Sequence, residues 1–221
     1  PALPVVDAYT RANPAQRIEA LFPAAFKPWP ASDRPRLLLT PEGIVNVPVS
    51  RLGREAAGRL VLLQEKTEAR VLFNGFRKDG QRFFNTSFVL DEGQIAYRLD
   101  KRELVPFGEY VPWQRVLFFV SRLVQAAGDF QAGQDPSPLR SGDVAMGLLI
   151  CYETIFPELA QERVEHGANV LVNISNDAWF GDTPGPYQHF LQARLNVALP
   201  GLDRDIARAL LDAAHQTCPY S

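Results

Sequence analysis

Three residues in this sequence carry side chains suited to covalent acyl chemistry. Cys151 directly follows the apolar run Val144 to Ile150 (VAMGLLI). Lys101 comes two residues after Leu99, and Glu42 comes two residues after the run Arg36 to Thr40 (RLLLT). A thiol is a weak nucleophile until it becomes a thiolate. A carboxylate beside it can take the proton as general base. A carboxylate alone disfavours the thiolate through like-charge repulsion, so a cation is needed in the same place. Lys101 would supply that cation and could also stabilise the oxyanion formed when a carbonyl becomes tetrahedral. Plainer readings stand beside these. Glu42 could be a solvated turn residue, Lys101 could pair with Asp100 or Glu103, and Cys151 could be inert core, the commoner fate of an isolated cysteine. No histidine stands out as a partner for Cys151, which argues against a papain-like cysteine–histidine pair.

The elements around these residues are short and punctuated by Gly and Pro. Ala15 to Ala25 reads as a helix disturbed at its end by Pro23, and Lys27 to Pro35 as a loop. RLLLT is a short strand stopped by Pro41. Ser50 to Lys66 is amphipathic, with Leu52, Ala56, Leu60 and Leu63 at helical spacing. Strands are expected over Arg70 to Phe76, Phe83 to Leu90 and Gln94 to Leu99, with turns at Asp79-Gly80 and Glu92-Gly93. Val116 to Val124 reads as a helix. VAMGLLI is continuous enough for a strand covered on both faces. Pro157 opens a helix that runs to about His166 and closes at Gly167. Asn169 to Asn173 is the next buried strand, and a last helix starts near Pro186. This order argues for an α/β sandwich with helices outside a mixed sheet. Functional residues gather at the carboxyl ends of strands in such folds. On that rule Glu42, Lys101 and Cys151 converge on one edge of the sheet.

Composition excludes several classes. The chain has 221 residues, is 46% hydrophobic and carries a formal net charge of -2 with both signs interspersed. No basic stripe suggests nucleic acid. No run of roughly 18 apolar residues suggests a spanning helix, and no signal-peptide pattern opens the chain. Its start at Pro1 points to a fragment, a processed product or an excised domain. The two cysteines, Cys151 and Cys218, are too few for a disulfide scaffold. No CxxC or Cys/His cluster marks a metal site, and His166, His189 and His215 are scattered.

At these residues the sequence resembles the nitrilase (carbon–nitrogen hydrolase) superfamily, and within it the apolipoprotein N-acyltransferase family of the bacterial inner membrane. DKRELVPFGEYVPW (Asp100 to Trp113), LLICYETIFPEL (Leu148 to Leu159) and LVNISNDAWFGDTPGPYQH (Leu171 to His189) carry the resemblance, with LLLTPEGIV (Leu37 to Val45) a shorter match. The resemblance implies a four-layer αββα sandwich without a cofactor or metal. It makes Glu42 the general base, Lys101 the oxyanion cation and Cys151 the residue that forms a thioester. Glu109 would orient Lys101, Tyr152 and Glu153 would line the pocket beside the nucleophile, and Trp179 would border the acyl or lipid site. Tyr152 and Trp179 could equally be core aromatics, and Glu153 could cap the helix near Pro157.

The implied reaction is ping-pong. A phospholipid donates an acyl chain to Cys151, and the α-amine of a diacylglyceryl-cysteine lipoprotein takes it. An acyl-enzyme that prefers an amine to water needs a dry site. Leu117, Phe118, Phe119 and Val120, with Trp113, could form a lipid-facing wall, although a buried helix fits the same residues. The resemblance places the catalytic domain on the periplasmic side of the inner membrane, with membrane anchors outside this chain. The catalytic domain is expected over residues 1–193. Residues 194–221 form a tail that departs from the family pattern, so the sandwich is expected to be incomplete at its C-terminus. Two alternatives remain at this level: a soluble amidase of the same superfamily, and an inactive truncated remnant.

Overall fold

The computed structural model describes residues 13–27, 36–110, 130–141, 144–177 and 183–198. The chain divides into two compact units, one spanning Asp7–Asp135 and the other built from Pro136 onward. Both mix helices with a β-sheet, in agreement with the expected α/β class. Among the described residues, no helix is long and apolar enough to cross a membrane.

The first unit opens with two short helices, α1 (Pro14–Glu19) and α2 (Phe22–Ala25), where the sequence pattern suggests one. Pro23 has no N–H to offer the carbonyl of Glu19, and its ring would crowd that carbonyl, so the first helix ends and a second begins. Asn13 caps α1 reciprocally with Gln16, each side chain taking the other's backbone N–H at 3.0 Å. Strand β1 (Leu37–Leu39) leads, through a 3-10 turn at Val49–Arg51, to helix α3 (Arg54–Thr67). This helix starts later than Ser50 because the 3-10 turn occupies the first part of the amphipathic run. Ala56, Leu60 and Leu63 still form its buried face.

Strands β2 (Arg70–Asp79), β3 (Arg82–Asp91) and β4 (Gln94–Asp100) complete a four-stranded sheet in the order β1-β2-β3-β4. The β3–β4 loop is Glu92-Gly93, with φ of 47° and 74°. Positive φ at both central residues is what a tight two-residue hairpin of matching twist requires. Side chains alternate across the sheet. Val71, Phe73, Phe88 and Leu90 pack with Ile18, Leu60 and Leu63 into one core. On the opposite face Leu72, Asn74, Ser87 and Val89 are also buried. Both faces of β2 and β3 are therefore covered, and the polar residues on the second face become the interesting ones.

In the second unit, β5 (Leu139–Ser141), β6 (Val144–Ile150) and β7 (Val170–Ile174) form a three-stranded sheet in that order. Between β6 and β7 the chain makes a 3-10 turn at Cys151–Ile155 and helix α4 (Pro157–Glu165). Leu159 and Ala160 of α4 pack on Leu149 of β6. The approach is close at Gly147, where an added Cβ would lie 2.7 Å from Arg163 Cβ and 2.8 Å from Leu171 Cδ2. Gly167 ends the α4 region at φ 93°, a left-handed position suited to glycine. Helix α5 spans Gly185–Ala198. The single shared sheet edge expected for Glu42, Lys101 and Cys151 is not what forms. Glu42 and Lys101 follow strands of one sheet and Cys151 follows a strand of another.

Candidate active site

Strand direction places the first cluster. β1 is parallel to β2, while β3 is antiparallel to both β2 and β4. β1 and β4 therefore point the same way, and their carboxyl ends lie at the same end of the sheet. Glu42 leaves β1 there and Lys101 leaves β4 there. The gap between these outer strands is bridged by polar residues of β2 and β3. Lys101 N–H donates to Asn85 O at 2.8 Å, which fixes the start of the loop after β4.

Lys101 is 1% exposed. Its Nζ lies 2.9 Å from Glu109 Oε2 and 3.5 Å from Glu42 Oε1. Asn85 Nδ2 donates to Glu42 Oε1 at 2.9 Å and to Glu109 Oε1 at 2.7 Å, so one amide ties both carboxylates together. Asn74 Nδ2 in turn donates to Asn85 Oδ1 at 2.9 Å, which orients that amide. Glu109 Oε2 also accepts Val105 N–H at 2.9 Å. The loop that carries Glu42 is pinned at Gly43. Its N–H donates to Asn74 Oδ1 at 2.7 Å, and its carbonyl accepts Arg17 Nη1 at 2.8 Å. Buried charges are tolerated when they are paired and hydrogen-bonded, and nearly every polar atom here meets that condition. The exception is Glu42 Oε2, which is buried and accepts no hydrogen bond. One carboxylate oxygen is thus committed to structure while the other stays open as a proton acceptor.

Asp100, the residue before Lys101, takes Arg77 in a two-point pair at 3.1 and 2.7 Å and also accepts the Thr86 hydroxyl at 2.7 Å. Its hydrogen bond to Arg77 holds that guanidinium even more firmly protonated than usual. This bidentate geometry anchors the end of β4 next to Lys101.

In the second unit the thiol sits on a turn of unusual backbone. Cys151 has φ 52°, left-handed for a residue with a side chain. Turns of this kind between a strand and a helix lift a nucleophile clear of its neighbours. The Ile150 N–H just before it donates to Glu153 Oε2 at 2.7 Å. Glu153 is completely buried. It therefore secures the turn. Tyr152 is half-buried, with its ring edge-on to Phe156 at 5.2 Å between centroids. Trp179, the Trp113 segment and the expected helix over 116–124 lie outside the described residues.

A histidine does stand beside Cys151, which corrects the reading that none partners it. β6 and β7 run parallel, with Ile150 opposite Ile174. Their carboxyl ends therefore emerge side by side, and the chain after β7 brings Asp177 next to the Cys151 turn. His189 of α5 meets them. Its Nδ1 is 2.8 Å from Asp177 Oδ1, and its Nε2 is 3.2 Å from both Cys151 O and Thr154 Oγ1. Cys151 Sγ, a ring nitrogen of His189 and an oxygen of Asp177 all lie within 4.8 Å of one another. Such a sulfur, nitrogen and oxygen set can hold a zinc-like ion, but both ring nitrogens already face protein oxygens.

The structure thus brings Glu42, Lys101 and Glu109 together, and separately gathers Cys151, Tyr152 and Glu153 on one turn. Asn74, Asn85, Asp177 and His189 are additions the sequence did not single out. The signal for the asparagines was present. Both interrupt apolar strand runs (VLFNGF and RFFNTSF), where asparagine is disfavoured. Asp177 follows a strand end, as Glu42, Lys101 and Cys151 do.

Comparison with known proteins fits this geometry. The family description "Carbon-nitrogen hydrolase" matches residues 49–197. Apolipoprotein N-acyltransferase of Geobacter metallireducens is 48% identical over 127 residues, covering 56% of this chain and 24% of that protein. The protein of the same name from Agrobacterium fabrum is 36% identical over 191 residues, 81% of this chain and 35% of its own length. The chain thus spans about a quarter to a third of the relatives it matches. Among solved structures, a carbon-nitrogen hydrolase from Helicobacter pylori G27 superposes with a TM-score of 0.59 at 17% identity, covering 86% of this chain and 67% of that one. A variant amidase from Nesterenkonia sp. AN1, described with acrylamide added to its active-site cysteine, gives 0.53 at 21% identity, with coverage of 83% and 69%. At these identities the solved structures establish the shared fold.

Proposed function

This chain belongs to the carbon-nitrogen hydrolase family, and from that premise we propose that it is the catalytic part of an apolipoprotein N-acyltransferase. In this reading Cys151 takes an acyl chain from a phospholipid and passes it to the α-amine of a diacylglyceryl-cysteine lipoprotein. The catalytic domain covers residues 1–193, with residues 194–221 apart from it. The parent protein sits at the bacterial inner membrane with this domain on the periplasmic side, anchored by segments outside this chain. The observation that carries the mechanism is the open, buried Oε2 of Glu42 beside a fixed ammonium.

Glu42 removes the thiol proton, and the thiolate of Cys151 attacks the ester carbonyl of the donor. The Lys101 ammonium stabilises the oxyanion, which a preorganised charge in a dry site does without reorganisation. Collapse breaks the ester carbon–oxygen bond. Glu42 returns its proton to the departing lysophospholipid oxygen, which leaves a thioester on Cys151. The lipoprotein amine then attacks, Glu42 takes its extra proton, and the thiolate departs and is reprotonated as the amide forms. Glu109 and Asn85 hold Lys101 and Glu42 in register throughout. Glu153 and Tyr152 keep the Cys151 turn in shape, and Trp179 borders the acyl chain.

The test is mass spectrometry after incubation with phospholipid in mixed micelles. Acyl transfer predicts an adduct of fatty-acyl mass on Cys151, absent in Cys151→Ala, that an amine-bearing lipopeptide discharges faster than water does. Discharge by water at the same rate points to the amidase alternative. The absence of any adduct removes the acyl-enzyme.

A further inference from the structure

We propose that His189, held by Asp177, is a positioning residue for Cys151 that grips the nucleophile's own main-chain carbonyl. The inference deepens the preceding reading and rests on Cys151 being the nucleophile. The left-handed backbone of Cys151 is unfavourable for a residue with a Cβ, and such conformations persist only where the surroundings over-determine them. Here the carbonyl of Cys151 accepts the Thr154 hydroxyl at 3.1 Å and lies 3.2 Å from His189 Nε2. Thr154 belongs to the same short turn, whereas His189 comes from α5, 38 residues away in sequence. The histidine therefore ties the turn to a separate helix.

The ring is itself fixed. Asp177 Oδ1 faces Nδ1 at 2.8 Å and also accepts the Ser175 hydroxyl at 2.6 Å. Nδ1 faces a carboxylate and Nε2 a carbonyl, groups that only accept hydrogen bonds, while the Thr154 hydroxyl 3.2 Å from Nε2 can accept or donate. In the proposed arrangement Asp177 fixes the ring through Nδ1, and Nε2–H donates to Cys151 O. A third group orienting an imidazole that acts on a nucleophilic residue is a recurrent logic. In this case the imidazole addresses the backbone of the nucleophile, and the open oxygen of Glu42 remains the base. His189 is 8% exposed, although its helix neighbours Gln188 and Phe190 are exposed. Its burial thus belongs to this contact.

The test is the rate of iodoacetamide alkylation at Cys151, followed by peptide mass spectrometry with Cys218 as internal reference. His189→Ala, His189→Gln and Asp177→Ala are compared with the unmodified chain, with thermal unfolding midpoints recorded for each. Glutamine places an amide N–H where Nε2 stands but cannot act as a ring base. The expected result is alkylation of Cys151 slowed by about tenfold or more in the alanine variant and recovered to within about threefold by glutamine. Acylation by phospholipid falls about 100-fold in the alanine variant with the donor KM unchanged, as a misplaced reacting atom entails. Should the alanine variant unfold, Asp177→Ala releases the ring from a half-exposed position and is expected to slow alkylation as well. Wild-type rates in His189→Ala or Asp177→Ala would overturn the proposal, and so would a folded glutamine variant as slow as alanine. If the unmodified chain forms no acyl adduct, the acyl-transfer reading fails, while the alkylation comparison still decides the role of His189.

Discussion

At the scale of residues, the division of labour within Glu42 is the feature with the clearest consequences. Oε1 is held by Asn85 and Lys101, and Oε2 is buried without a partner. Glu42→Gln keeps an acceptor for Asn85 but replaces the open proton acceptor with an amide. The fold should survive and turnover should drop by about 10²–10⁴, the usual worth of a general base. Complementation by this variant in an intact parent would rule Glu42 out as the base. Lys101→Met tests the opposite balance. It leaves the largely buried carboxylates of Glu42 and Glu109 without their cation. Removing one partner of a buried ionic cluster typically costs about 3–5 kcal/mol. A denaturant midpoint as high as that of the unmodified chain would show that the cluster is more solvated than its burial indicates. Cys151, Lys101 and Glu109 were legible in the sequence because they fall in long specific motifs. Asn85 and His189 were not, because an asparagine in a strand and a histidine in a helix carry no chemistry until their neighbours are known.

At the scale of elements, hydrophobic patterning did most of the positioning. Runs such as VAMGLLI and FFNTSFVL became strands where expected, and Glu92-Gly93 formed the tight turn its residue types favour. The misses have local causes. Pro23 divided the first helix, and a 3-10 turn displaced the start of α3. Gly147 shows how closely an element must approach the strand that leads to Cys151. Its missing side chain is the space occupied by Arg163 Cβ and Leu171 Cδ2, at 2.7 and 2.8 Å from where a Cβ would stand. Gly147→Ala should therefore push α4 and β7 away from β6 and cost about 1–3 kcal/mol, the range for overpacking. Because β6 ends at Ile150, the same substitution should also slow alkylation of Cys151. Stability and reactivity equal to those of the unmodified chain would mean that the strand tolerates the extra carbon and that this contact does not position the turn.

At the scale of the whole molecule, the chain distributes its chemistry over two compact units. The carboxylate–ammonium–amide cluster is built within Asp7–Asp135, and the thiol turn with its histidine and aspartate within the segment from Pro136 onward. Each set is held by hydrogen bonds within its own unit, and each has its own observable, turnover for one and thiol reactivity for the other.

The sequence by itself determined the residue types, the strand and helix runs and the family, because these depend on local periodicity and on long specific motifs. Tertiary structure alone decided which polar groups meet. The parallel pairing of β6 with β7 brought Asp177 beside Cys151, and the common direction of β1 and β4 brought Glu42 and Lys101 to one end of their sheet. Strand direction and register are settled by packing across the sheet and not by any single run of residues. A buried amide or imidazole therefore acquires its role only when the fold is complete.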